Sequence, residues 1–149
     1  MSIESRPRVL LVVRGIVLNE GKILLVKRSK NDRRAAGQWE LPGGKMDVGS
    51  EVNLSMEREV LEETGLTVRF SGPEMFVSSS MLNSGKYEGL AYITLVGFVK
   101  LVDGKVELSE EHDEFIWIDP NEALKMNLCD ISREALVYFL RGSTNKFIK

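Results

Sequence analysis

Apolar and polar residues fall into distinct blocks along the chain. Residues 8–18, RVLLVVRGIVL, and 22–28, KILLVKR, are apolar and rich in β-branched side chains, the composition of strands. Asn19-Glu20-Gly21 between them is a turn signal, so the two segments predict a hairpin. Residues 29–37, SKNDRRAAG, are polar and basic and predict a loop, and residues 38–42 a short extended piece. From Ser50 or Glu51 to Gly65 the pattern turns helical. Val52, Met56, Val60 and Leu61 are the expected core anchors, with Ser50 as a candidate N-cap. A strand follows over 67–80, interrupted at Gly72-Pro73, then a turn at Asn83-Ser84-Gly85 and a long strand over 86–100. Asp103-Gly104 is a hairpin signal leading into KVEL, a polar insert SEEHDE and the strand-like FIWI. Asp119-Pro120 begins a helix as N-cap and first helical residue. A last helix spans 131–140, with Asp130 as its cap and Gly142 beyond its end.

Hairpin strands with one central and two late helices predict an α/β sandwich around a mixed sheet. With 149 residues and no repeats, low-complexity tracts or linkers, a single domain over residues 1–149 is expected. The net charge of −2 argues against a nucleic acid polymer or an anionic membrane as partner. No run of about 18 apolar residues appears, which excludes a membrane-spanning helix. The N-terminus lacks the apolar stretch of a secretory signal, and the single cysteine, Cys129, excludes an internal disulfide. Cys129 reads as a buried structural thiol. A cytoplasmic protein is expected.

Candidate chemistry concentrates in the central helix, which holds Glu51, Glu57, Glu59, Glu62 and Glu63. The spacing puts Glu59, Glu62 and Glu63 on one side, where like charges oppose helix formation unless a cation sits among them. Oxygen ligands converging from one side suit a hard divalent cation such as Mg²⁺. A glutamate-rich helix can equally be a solvated face closed by Gly65, but such a helix has no need of the LPGG that precedes this one.

These residues resemble the signature of the Nudix hydrolases, G-x5-E-x7-R-E-U-x-E-E-x-G-U, where U is bulky and aliphatic. Gly44, Arg58, Glu59, Val60, Glu62, Glu63, Gly65 and Leu66 match it; Ser50 stands where the first glutamate belongs, and Glu51 or Asp47 is a candidate replacement. The resemblance implies an α/β/α sandwich with the motif as loop–helix–loop. It also implies hydrolysis of a phosphoanhydride with Mg²⁺, or Mn²⁺ in its place, and a homodimer is common in the family. It assigns Gly44, Glu59, Glu62 and Glu63 to the metal, with Glu59 also a candidate base beside Glu62. Arg58 is cast as the residue that positions these carboxylates, and Gly43 as a close backbone approach to the phosphates. An acidic residue before a late strand serves many members as a further ligand or base; Glu114 is the choice here, with Glu111 and Asp113 competing.

The basic cluster Lys27, Arg28, Lys30, Arg33 and Arg34 could meet a polyphosphate, with Arg28 and Arg33 as substrate contacts. Trp39 either stacks on a base or packs beneath the loop, and His112, the lone histidine, is given no role. Residues 24–44 partly resemble the coenzyme A-type Nudix pattern: Leu24, Leu25, Arg28, Ser29, Arg33 and Gly37 agree, while Val26 and Leu41 depart. LPGG is similar to the mutator-type nucleoside triphosphate pyrophosphatases. The proline that marks ADP-ribose enzymes is missing, since Pro73 comes too early. The expected reaction is therefore cleavage of a nucleoside triphosphate, a small nucleotide, to monophosphate and pyrophosphate. A coenzyme A or ADP-ribose pyrophosphatase, or a nucleotide sensor without turnover, is the alternative. A prenyl diphosphate isomerase is set aside because Cys129 lies far from the motif.

Overall fold

A computed structural model of the chain describes residues 8–47, 49–83 and 85–142. In order, the elements are β1 (Val9–Asn19), β2 (Lys22–Arg28), β3 (Trp39–Glu40), β4 (Gly43–Lys45), α1 (Val52–Thr64), β5 (Thr67–Met81), β6 (Ala91–Asp103), β7 (His112–Ile118), α2 (Pro120–Ala123) and α3 (Asp130–Arg141). The strands form one seven-stranded mixed sheet with the path β3-β2-β1-β6-β5. β1 organises it. One edge runs parallel to β6 from Val9↔Ala91 to Leu18↔Lys100, and the other is divided between β4 and β2, both antiparallel.

Alternation along the strands separates two cores. Val13 and Val17 of β1 and Val99 of β6 meet Met56 and Val60 of α1 on one face. Ile16, Val96 and Phe98 meet Ala135, Leu136 and Phe139 of α3 on the other. In β2, Leu24 serves the first core while Ile23 and Leu25 serve the second. A strand covered on both faces reads as an unbroken apolar run, which is why KILLVKR shows no alternation. The result is the expected α/β/α sandwich. No described helix is long and apolar enough to cross a membrane.

Several expectations are corrected. Asp103-Gly104 does not turn a hairpin, because β6 already has β5 on one edge and β1 on the other. Instead residues 104–109 cross the end of α1, where the Glu107 and Ser109 amides donate to the carbonyls of Thr64 (2.8 Å) and Glu63 (3.1 Å). KVEL is therefore no strand, and β7 pairs with β2. β6 starts at Ala91 rather than 86. Residues 85–90 form a tight turn closed by Leu82 N–H to Leu90 O, 3.0 Å, and Gly89 N–H to Leu82 O, 2.9 Å. β5 continues through Gly72-Pro73, with its pairing register shifted between Phe70 and Met75. The N-cap of α1 is Glu51, without a side-chain bond, so Ser50 does not cap it. Cys129, not Asp130, precedes α3. Leu61 is exposed and anchors nothing, whereas Met56 and Val60 are fully buried. Asp119 does cap α2, accepting from the Asn121 and Glu122 amides.

Candidate metal and phosphate site

The loop ahead of α1 and the helix itself are held together by the two glycines. Gly43 pairs with Arg14 of β1, and a Cβ there would sit on the Val13 carbonyl oxygen and on Arg14. With no side chain in the way, its amide reaches Glu63 Oε2 at 3.0 Å. Gly44 faces Glu59, and a Cβ there would overlap that carboxylate. The glycine pair thus admits two glutamates one helical turn apart to the strand edge.

Glu59, Glu62, Glu63, Gly43 and Gly44 line a single cavity of about 600 Å³, together with Glu111 and Ser109 from the crossing segment. Of its carboxylates, Glu63 is buried, and burial pushes its carboxyl up to about 7 against the opposing pull of the Gly43 amide. Burial also raises Glu59, with the Glu62 charge adding to it. Carboxylates crowded in this way, two of them raised by burial, form a donor set that fits a hard divalent cation. One side-chain oxygen or nitrogen from each of Glu63, Glu111 and His112 lies within 4.8 Å of the others, a spacing that could hold a metal ion.

Arg58 sits beside this set. It donates to Asp47 at 2.6 Å and lies 3.5 Å from Glu59 and 3.7 Å from Glu62. Of the two candidates for the missing first glutamate, Asp47 therefore touches the motif through Arg58. Glu51 lines no part of the cavity.

A second cavity, also about 600 Å³, adjoins the first. Arg14, Arg28, Arg34, Lys45, Glu40 and Val12 are common to both walls. Behind that wall Glu40 is buried, 3.3 Å from Arg14, 3.1 Å from Arg28 and 2.8 Å from His112 Nε2. Burial alone would raise its carboxyl, but Arg14, His112 and Arg28 outweigh that and hold it at about 2.

The candidate residues are placed as follows. Arg28 lines both cavities, but its guanidinium is engaged by Glu40 and Asp32. Arg33 lines the second cavity. Trp39 lines neither. Its amide donates to Asn127 O at 2.8 Å and its ring packs against the α3-side core, so it takes the packing alternative. Glu114 is not brought to the glutamates: it is opposite Lys27 in the β2–β7 ladder and bonded to it at 2.9 Å, and Glu111 occupies the cavity wall instead. Cys129 is half-buried rather than enclosed; it lines the second cavity, and burial pushes its thiol up to about 11. Sequence reasoning missed Glu40 and His112. Glu40 closes β3 and His112 opens β7, and the strands carry both inward; Glu40 stands as a lone carboxylate between Trp39 and Leu41, whereas His112 is hidden in the acidic run SEEHDE.

Comparison with known proteins places this geometry in context. A family model described as NUDIX domain matches residues 9–139. Nucleoside triphosphatase NudI of Escherichia coli O1:K1 / APEC is 25% identical over 130 residues, covering 84% of this chain and 92% of that protein. The crystal structure of a MutT protein from Methanosarcina mazei Go1 superposes with a TM-score of 0.72 at 31% identity, over 92% of this chain and 96% of that one. The solution structure of the E. coli ORF135 protein gives 0.70 at 25% identity, over 98% and 99%.

Proposed function

The chain belongs to the NUDIX family and is a Nudix pyrophosphohydrolase, and on that premise we propose that it cleaves a nucleoside triphosphate to monophosphate and pyrophosphate with Mg²⁺, or Mn²⁺ in its place. The observation that carries this reading is the pair of adjoining cavities with one basic wall between them. A nucleoside fits the second cavity, within the volume range of small-molecule sites. Its phosphates then cross Arg14, Arg34 and Lys45 to reach the glutamates. The NudI relative, a nucleoside triphosphatase by name, supports the same substrate class.

Glu59, Glu62, Glu63 and Glu111 would hold the cation, which when bound lowers the pKa of water and shields phosphate oxygens. Glu63 is kept in place by the Gly43 amide and Glu59 by the room that Gly44 leaves. Glu59 is the candidate base, since burial raises its affinity for a proton while it stays on the cavity wall. Arg58, tied to Asp47, keeps Glu59 and Glu62 facing the cavity and acts as a positioning residue.

The test is a hydrolysis screen with Mg²⁺ over nucleoside triphosphates (oxidised ones included), ADP-ribose, dinucleoside polyphosphates and coenzyme A, with Glu63→Gln as control. The expected result is pyrophosphate release from a triphosphate, lowered roughly 10²-fold or more in the variant. Turnover confined to ADP-ribose or coenzyme A would replace the substrate, and binding without turnover would make the chain a sensor.

A further inference from the structure

We propose that Tyr87 is a positioning residue whose ring holds the Lys45 and Lys86 ammonium groups as an anion subsite for the substrate's phosphate chain, at the junction of the two cavities. This rests on the reading of the site as one for a phosphoanhydride substrate and names the residue that arranges its basic wall. Lys45 directly follows Gly44 on β4 and lines both cavities. Its Nζ lies 4.3 Å from the centroid of the Tyr87 ring, and Nζ of Lys86 lies 5.3 Å from the same centroid. A flexible lysine on a strand edge samples many rotamers, and an aromatic face under its ammonium selects among them.

The backbone that carries the ring is itself held. Tyr87 sits in the turn that Leu82 and Leu90 close, and the Leu90 amide donates to the Tyr87 carbonyl at 3.0 Å. Gly85 of the same turn lies against Arg34, which brings this turn and the basic β2–β3 loop together at the rim of the second cavity. Among the described residues, neither Lys45 nor Lys86 has a carboxylate in ion-pair contact. Two like charges on one ring repel each other, and the arrangement is relieved by an anion placed between them. The Lys45 ammonium, with Lys86 adding to it, also holds the Tyr87 phenol below its ordinary value of 10.0. A polyphosphate extended from the second cavity to the glutamates passes this point, because Lys45 is on both walls.

The experiment is a double-mutant cycle read by calorimetric binding of inorganic tripolyphosphate in metal-free buffer, using Tyr87→Phe, Tyr87→Leu, Lys45→Gln and the Lys45→Gln, Tyr87→Leu pair. Tyr87→Leu is expected to weaken binding about two- to five-fold, the scale of an exposed cation–π contact, and Tyr87→Phe to keep it within about twofold. In the Lys45→Gln background Tyr87→Leu should lose most of that effect. With a nucleoside triphosphate, Tyr87→Leu should raise KM by the same factor with kcat nearly unchanged. Unchanged binding in Tyr87→Leu, full additivity in the cycle, or a Phe variant as weak as the Leu variant would overturn the proposal. If the cycle holds on tripolyphosphate while no triphosphate is hydrolysed, the substrate reading fails and the subsite stands. If hydrolysis holds and the cycle fails, the subsite alone falls.

Discussion

Glu40 and Glu63 are both buried carboxylates, and their surroundings drive them in opposite directions. Glu40 has two guanidiniums and an imidazole against it and is held at about 2, below its ordinary 4.5. Its contribution to stability is present above pH 4.5 and is lost as pH falls through about 2. Replacing it with glutamine leaves Arg14 and Arg28 without their shared anion, so Glu40→Gln should destabilise the fold by about 3 kcal/mol in urea unfolding. For Glu63 burial outweighs the Gly43 amide and the more distant His112 and Arg14, and raises it to about 7 from 4.5. For a raised carboxyl the unfolded chain releases its proton first. The metal-free protein should therefore lose stability as pH rises from 4.5 to about 7, and Glu63→Gln should flatten that slope. A decline of the same steepness in the variant would assign the slope to another group. The two late acidic candidates separate in the same way: Glu111 is on the cavity wall and Glu114 is paired with Lys27 outside it. Glu111→Gln should cost roughly 10-fold or more in kcat/KM, and Glu114→Gln less than about twofold.

At the scale of the element, β4 is three residues long and does two jobs through two glycines. Gly43→Ala pushes a methyl into the β1 backbone and should destabilise the fold by about 2–3 kcal/mol, because backbone has nowhere to retreat. Gly44→Ala meets only the end of the Glu59 side chain. It should leave the unfolding midpoint nearly unchanged and weaken Mg²⁺ binding in calorimetry, a separation that fails if Gly44→Ala unfolds as readily as Gly43→Ala. The same short strand shows what could be read in advance. The β1–β2 hairpin was legible from two β-branched apolar runs on either side of a turn signal, and α1 and α3 from apolar residues recurring at the helical period. β4 was not, because three residues have no periodicity and its pairing with β1 is a tertiary event. The Asp103-Gly104 signal was locally sound but had no free strand edge to use. Glu111 could not be separated from Glu114 by composition. The β7 register put Glu114 opposite Lys27, and only the preceding loop could deliver an acid to the cavity.

The whole molecule couples its site to its stability, because the glutamates proposed to hold the cation project from a helix that is itself core. Met56 and Val60 on one side of α1 are fully buried in the sheet face, while Glu59 and Glu63 on the adjoining side face the cavity. The helix end is tied again by the crossing segment, whose Ser109 amide bonds the Glu63 carbonyl at 3.1 Å and whose Glu111 lines the same cavity. The acidic set therefore assembles only when sheet, helix and crossing segment are all folded, and an unfolded chain offers no equivalent site. A cation that binds the folded form alone stabilises it by about 2.7 kcal/mol at a hundred times its Kd. In a chain of this size that corresponds to a rise in Tm of roughly 5–10 °C. Magnesium should thus raise Tm in thermal unfolding, and a Glu62→Gln, Glu63→Gln variant should show no rise. The shift should also grow between pH 6 and pH 8, because Glu63 must give up the proton it holds to about 7 before it can serve as a ligand. An equal shift in wild type and variant would place the cation elsewhere on the surface. A shift independent of pH would remove Glu63 from the ligand set while leaving Glu59, Glu62 and Glu111 in it.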